Sequence, residues 1–393
     1  MGHLRYGRRV PPSFAAERAI SLSGELVWVV VDRDGFGLHE EATTFLVGLR
    51  ARDVSVNTER VYAGRVALYL SYCASRGLEW SDPGFLGLKG FQDWLVTEPL
   101  PARSARVGAE LRFRSRGTAN AVLSSVCEFL RFGVTHGWVP ARATAALSEP
   151  KFLRHLPPGY DPGEDDQFRR VMRPVFRFAD TERGYEALSG ERIEQILRLT
   201  CHARDFFLIL LLLVTGMRVG EGLGLRREDM HLLASSRTLG CVIDGPHVHV
   251  RRRRDNANAA LAKSRFPRAI PVTTRLVDAY VEYLHERDGV EAAAGCDMVF
   301  VNLFREPLGA PMSYSNVKDM FDRLARTVGF AVRPHMLRHT AATGWVRAGV
   351  DLDIVQHLLG HVSSSSMQPY LHVNDQDKRD AVERVAAAGM AGR

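Results

Sequence analysis

The stretch Arg333–Tyr370, RPHMLRHTAATGWVRAGVDLDIVQHLLGHVSSSSMQPY, constrains this chain more than any other. Pro334 can open a helix, because its missing N–H is not needed in the first turn and its φ is preset. His335, Arg338 and His339 then fall on one helix face at i, i+3 and i+4. Trp345 and Val346 continue an apolar stripe that Gly349 ends. Ile354, Val355, Leu358 and Leu359 mark a second helix, with Gly360 as its stop. His361 follows at once, and nine residues later, past a serine run and Pro369, stands Tyr370. The pattern has two readings. One is a phosphodiester site, where cationic and hydrogen-bonding side chains hold a phosphate and a tyrosine hydroxyl attacks it. The other is a basic surface helix with two structural histidines. Spacing also permits zinc on His335 and His339, but the helix lacks the HE pair of a zinc protease and no Cys cluster lies nearby.

Upstream, ARDFFLILLLLVTGMRVGEGLGL reads as a buried helix, a turn at Gly216 and a second helix start. Arg218 and Glu221 are charges stationed at the end of an apolar element, where burial is costly unless they pair. An ordinary helix-end salt bridge satisfies that requirement as well as a catalytic role does. Cys241–Ile243 and His247–Val250, separated by Asp244, Gly245 and Pro246, predict a hairpin, and Ala269–Val272 predicts a further strand. Between them lies RRRRDNANAALAKSRFPRAIPV, which holds Lys263.

HMLRHT, LLGH and the tyrosine nine residues on resemble the C-terminal signature of the tyrosine recombinase (phage integrase) family, HxxR…LGH…Y. The family's other motifs occur upstream in its fixed order. Arg218 in TGMRVGE matches the first catalytic arginine, and Glu221 the acidic residue three positions on. AKSRFPRAIPV fits the segment that follows the catalytic lysine, although RDNANAALAK is longer than the compact GKxxKxR form and looks more like a transposon-encoded integrase or transposase branch. The resemblance implies that Arg218, Lys263, His335, Arg338, His361 and Tyr370 are catalytic, with Glu221 in support. Tyr370 would be the nucleophile, forming a 3′-phosphotyrosine. His335 would take its proton or hold a nonbridging oxygen. Arg218 and Arg338 would clamp the nonbridging oxygens, His361 would add a hydrogen bond, and Lys263 would protonate the leaving 5′-oxygen. With two arginines supplying charge, neither metal nor cofactor is expected. His339 is read as structural.

Length and composition agree with this. At 393 residues, 46% apolar and 25% charged, the chain is long enough for more than one globular domain. A net charge of +7 suits an acidic partner such as double-stranded DNA. The five cysteines are widely spaced with no CxxC and read as reduced, mostly buried thiols of a cytoplasmic, nucleoid-associated protein. The longest apolar run, Phe206–Val214, is far short of the roughly 20 residues that span a bilayer, so no membrane is expected.

The periodicities predict a multidomain chain: an arm with a short strand or small hairpin (1–37), an all-α domain (38–140), a proline-containing linker (141–185), and a mainly helical α+β domain with a small antiparallel sheet and a C-terminal helix (186–393). The resemblance implies that residues 38–140 are the family's core-binding domain and 186–393 its catalytic domain. Asn57 or Thr58, Thr118 or Asn120, Ser189 and Ser315 are the expected caps of successive helices. Arg112, Arg114, Arg116, Arg251, Arg252 and Arg265 are candidate DNA contacts, because guanidinium matches phosphate geometry. The resulting expectation is a site-specific recombinase that works as a homotetramer on two DNA sites, with room for accessory DNA-binding proteins. A type IB topoisomerase and a catalytically silent DNA-binding protein are the alternatives.

Overall fold

The computed structural model describes residues 13–360 except 53, 102–110, 157–160, 162, 164–166, 180–186 and 265. His361, Tyr370, Arg265 and the expected C-terminal helix lie outside the described residues. The chain divides into two units, residues 1–182 and 183–393.

The first unit opens on an antiparallel hairpin, β1 (Phe14–Ile20) and β2 (Leu26–Asp32), paired Phe14 to Asp32. Four helices follow: α1 (Glu40–Ala51), α2 (Val56–Arg76), α3 (Gly84–Thr97) and α4 (Arg116–Thr135). Their apolar stripes converge on Phe45, Leu46, Tyr69, Phe91, Leu123, Phe129 and Leu130, all buried. Glu59 of α2, 1% exposed, ties the hairpin to the helices: it accepts from the Trp28 backbone N–H at 2.9 Å and from Arg50 at 2.5 Å. The segment 141–185 carries α5 (Ala141–Ala145) and a second antiparallel hairpin, β3 (Ser148–Phe152) with β4 (Arg170–Pro174).

The second unit is organised on α7 (Ala203–Thr215), whose run FFLILLLLV is apolar on every side and buried from Phe207 to Leu212, with Phe206, Leu213 and Val214 partly buried against the same core. Around it lie α6 (Gly190–Leu199), α8 (Val219–Leu223), α9 (Thr274–Asp288), α10 (Tyr314–Val328) and α11 (Pro334–Arg347), with α12 (Leu352–Leu359) docked on α11 through Ala342, Trp345, Val355 and Leu359. A three-stranded antiparallel sheet runs in the order β5 (Met230–His231), β6 (His247–Val250), β7 (Arg268–Pro271). Val248, Val250 and Ile270 face the core.

Several local expectations need correction. Cys241–Ile243 is not a strand: β6 pairs with the two residues Met230 and His231, while Cys241 lies in the connection and Val242 is 87% exposed. Its β-branched residues fit an extended loop as well as a ladder. Ser55, Ser115 and Ser313 cap α2, α4 and α10, each starting the helix earlier than Asn57, Thr118 or Ser315 would. In each case the upstream serine reaches a backbone N–H three residues on, so further residues gain helical hydrogen bonds. All five cysteines are free, but only Cys73 and Cys127 are buried; Cys201 is exposed and Cys241 and Cys296 are intermediate.

Candidate active site

The site begins where α7 ends. Gly216 adopts φ +60°, and a Cβ there would press on Leu359 and Trp345 at 3.0 Å, so the turn needs glycine both for its handedness and for its space. The turn delivers Arg218 as the N-cap of α8. Glu221, 2% exposed, reaches back to accept from the Arg218 backbone N–H at 2.9 Å and from its Nη1 at 3.3 Å.

Glu221 also holds a residue that the sequence reading assigned no role. Arg268, at the start of β7 and 6% exposed, donates from Nη2 to Glu221 Oε2 at 2.7 Å and from Nε to the Leu358 carbonyl at 2.9 Å. Burial pushes the Glu221 carboxyl up, but the charge and hydrogen bond of Arg268, together with Arg218, outweigh it and hold the group below its ordinary value. A buried carboxylate thus fixes two guanidinium groups separated in sequence by the whole sheet. No local motif announces the Arg268 partnership; only its place in a strand that passes α8 and α12 creates it.

Arg338 is the most enclosed cation among the described residues, 1% exposed on the inner face of α11. Its Nη1 donates to the Gly216 carbonyl at 2.7 Å and its Nη2 to the Leu359 carbonyl at 2.9 Å. These acceptors are C-terminal carbonyls of α7 and α12, the groups a helix end leaves unpaired and the negative end of its dipole. The guanidinium is therefore oriented by the two helix ends that it joins.

His335, one turn before Arg338, has a pKa lowered by burial and then by the positive charges of Arg338, Arg218 and Lys263. It is accordingly neutral at neutral pH and able to accept a proton. His339 packs edge-on against it, ring centroids 4.3 Å apart, and is pushed down to about 4 by burial, His335 and Arg338. The surrounding cations oppose a metal ion between these two rings. Lys263 is exposed in the β6–β7 connection. The structure thus brings Arg218, Glu221, Arg338, His335 and Lys263 into one electrostatic neighbourhood.

The candidate DNA contacts are less uniform. Arg112 is exposed, whereas Arg114 lies over the Trp94 ring at 5.4 Å and Arg116 over Phe178 at 5.9 Å. In the arginine run after β6, Arg251 sits 3.6 Å from the fully buried Asp229, and Arg253 pairs with both Asp229 and Glu228. Arg252 Nε is buried with no hydrogen-bond partner among the described residues. Part of what reads as a basic patch is thus engaged in holding the sheet to the turn before β5.

The phage integrase family profile matches residues 186–377. Transposase A from transposon Tn554 of Staphylococcus aureus is 28% identical over 360 residues, covering 90% of this chain and 92% of that protein. The tyrosine recombinase XerC of Mycobacterium bovis is 30% identical over 324 residues, covering 81% of this chain and 89% of its own length. In fold, the chain is similar to the Tn1549 transposon integrase solved with circular intermediate DNA, at a TM-score of 0.54 and 18% identity, over 86% of this chain and 97% of that one. With an arginine-rich cluster carrying the HxxR motif on α11 and with XerC similarity over most of both chains, this protein belongs to the phage integrase family of tyrosine recombinases, enzymes that break and rejoin DNA.

Proposed function

We propose that the chain is a site-specific recombinase of a transposon, cutting and rejoining double-stranded DNA through Tyr370. The observation that carries this is the convergence of Arg218, Arg338 and Lys263 on a neutral His335. A cluster that concentrates positive charge around a proton acceptor suits a phosphodiester whose nonbridging oxygens gain charge in the transition state. Tyr370 Oη attacks phosphorus and yields its proton to His335. The P–O5′ bond breaks, Lys263 protonates the departing oxygen, and the 3′-phosphate remains on Tyr370. Reversal by another strand's 5′-hydroxyl rejoins DNA without an external energy source. A free tyrosine with a pKa near 10 needs such a base to ionise. Arg218 and Arg338 supply charge without reorganisation because Glu221, Gly216 and Leu359 already hold them. His361 adds a hydrogen bond to the phosphate.

Residues 38–140 are assigned as the DNA-gripping domain and 186–393 as the catalytic domain, joined through 141–185. Arg112, Arg114, Arg116, Arg251, Arg252 and Arg265 provide phosphate contacts. Assembly as a homotetramer on two DNA sites, with accessory DNA-binding proteins, in the nucleoid-containing cytoplasm, completes the reading. It agrees with the transposase similarity, and no described helix is long and apolar enough to cross a membrane.

The test uses a duplex recovered by selecting bound sequences from a random library, nicked so that cleavage traps the intermediate. Wild type should give a protein–DNA adduct that survives denaturing gels, and Tyr370→Phe should give none. An equal adduct in both would place the nucleophile elsewhere. Tight binding without an adduct in wild type would indicate a silent binding protein. Adduct with supercoil relaxation but no strand exchange would indicate a topoisomerase.

A further inference from the structure

Away from the cationic cluster, the unit's small sheet carries a second polar cluster. His247 and His249 project from the same face of β6, because alternate residues of a strand share a face. His231 lies opposite His247 in the β5–β6 register, which places it on that face as well. Val248 and Val250 occupy the other face, in the core. The connection between β5 and β6 folds back over the histidines: Cys241 N–H donates to the Ser236 carbonyl at 3.2 Å, Gly245 N–H to the Ala234 carbonyl at 3.0 Å, and Ser235 bridges to Asp244. That course brings the Cys241 thiol onto the imidazoles.

The four donor atoms lie within 4.8 Å of one another. Cys241 Sγ is 3.3 Å from His247 Nε2 and 3.5 Å from His249 Nε2, and the two Nε2 atoms are 3.2 Å apart. Zinc bonds of about 2.0–2.1 Å to nitrogen and 2.3 Å to sulfur, in tetrahedral geometry, require ligand separations of about 3.3–3.6 Å. The two sulfur–nitrogen edges fall in that range, and the nitrogen–nitrogen edge lies just below it. His247 Nδ1 lies 2.7 Å from the Gly245 carbonyl and must donate to it, so His247 Nε2 presents a lone pair toward the cluster. His231 and His247 are 6% and 1% exposed, and His231 Nδ1 is buried with no hydrogen-bond partner among the described residues. Buried lone pairs facing one another are unfavourable unless a proton or a cation lies between them.

We propose that His231, Cys241, His247 and His249 form a structural zinc site, Cys-His3, that staples the β5–β6 connection to the sheet. Four protein ligands close a tetrahedron and leave no open position for a reacting water. Thiolate with imidazole selects zinc over magnesium or calcium, which take oxygen ligands. Beyond its backbone hydrogen bonds the connection has few apolar anchors: Leu233, Leu239 and Val242 are 64%, 62% and 87% exposed. The site is independent of phosphoryl transfer and does not rest on Tyr370 being the nucleophile.

The test is metal content of the full-length protein, purified from zinc-supplemented medium, desalted and measured by mass spectrometry. Wild type and Tyr370→Phe should each carry about one zinc per chain, and Cys241→Ser with His249→Ala should lose at least nine-tenths of it. Cobalt exchanged into wild type should show the intense thiolate charge-transfer and tetrahedral visible bands, a readout that needs no variant to fold. Chelation of wild type should speed limited proteolysis between residues 232 and 246 at least tenfold while far-ultraviolet dichroism changes little. Folded wild type that neither retains zinc nor gives the cobalt bands would overturn the site, as would stoichiometric zinc in the double variant. Unchanged proteolysis on metal removal would overturn the stapling role.

Discussion

The second unit holds two buried polar clusters of opposite character. Around Arg338, three guanidinium groups share one carboxylate and a few helix-end carbonyls, so positive charge remains in excess. On the sheet, three imidazoles and a thiol turn lone pairs on one another, and Arg251 acts on His249 only through its charge. The first arrangement favours an anion and the second a metal ion. Polar burial alone does not identify a ligand; the sign of the uncompensated charge does.

The largest expected effect comes from the centre of the first cluster. Arg338→Ala should lower covalent adduct formation by at least about 10²–10³-fold. It should also lower stability, since the Gly216 and Leu359 carbonyls lose their donor. Arg338→Lys should restore part of the stability but little of the rate, because ammonium cannot bridge both carbonyls in one plane. Rates within threefold of wild type would remove Arg338 from the chemistry.

Glu221→Gln should follow, costing about 3–5 kcal/mol in urea unfolding by leaving two guanidinium groups without their carboxylate. A loss below about 1 kcal/mol would mean that the cations are hydrated rather than paired. Arg218→Ala separates the two contributions. Its side chain is 28% exposed, so adduct formation should fall about 10²–10³-fold while the unfolding midpoint barely moves.

Acid should distinguish the titrating groups. His339 is lowered from 6.5 to about 4, so the unfolded chain binds the extra proton first and stability should fall as pH drops from 6.5 toward 4. His339→Gln should flatten part of that slope in thermal melts and leave the loss at lower pH, where Glu221 becomes protonated. A slope unchanged by H339Q would assign the acid sensitivity elsewhere. The smallest effect belongs outside both clusters: Arg112→Ala should weaken DNA binding evenly across sequences and reduce the log–log salt slope by about 0.9, measured by fluorescence anisotropy.

The legible parts of this molecule are those governed by neighbours in sequence. α9 follows from its apolar period, and the stops of α2, α7 and α12 from glycines that reach positive φ. The HxxR spacing places His335 and Arg338 one turn apart whatever surrounds the helix. What the sequence hides depends on distant chain. Arg268 looks like one more member of a basic run until β7 carries it to Glu221, 47 positions away. Arg253 looks equally available until Asp229 takes it. The β5 strand is two residues long, too short for any alternation to register, and without it neither His231 nor the fold-back of Cys241 is foreseeable.

The seat of α12 has a consequence for assembly. Its last carbonyls, Leu358 and Leu359, are the acceptors for Arg268 and Arg338, and a Cβ on Gly360 would come within 2.7 Å of Arg268 Nη1. A misplaced α12 would strand two buried guanidinium groups at once, so intermediate positions are penalised and docking tends toward all or nothing. α12 is therefore an interlock: it can engage only when the ends of α7 and β7 are already correctly set.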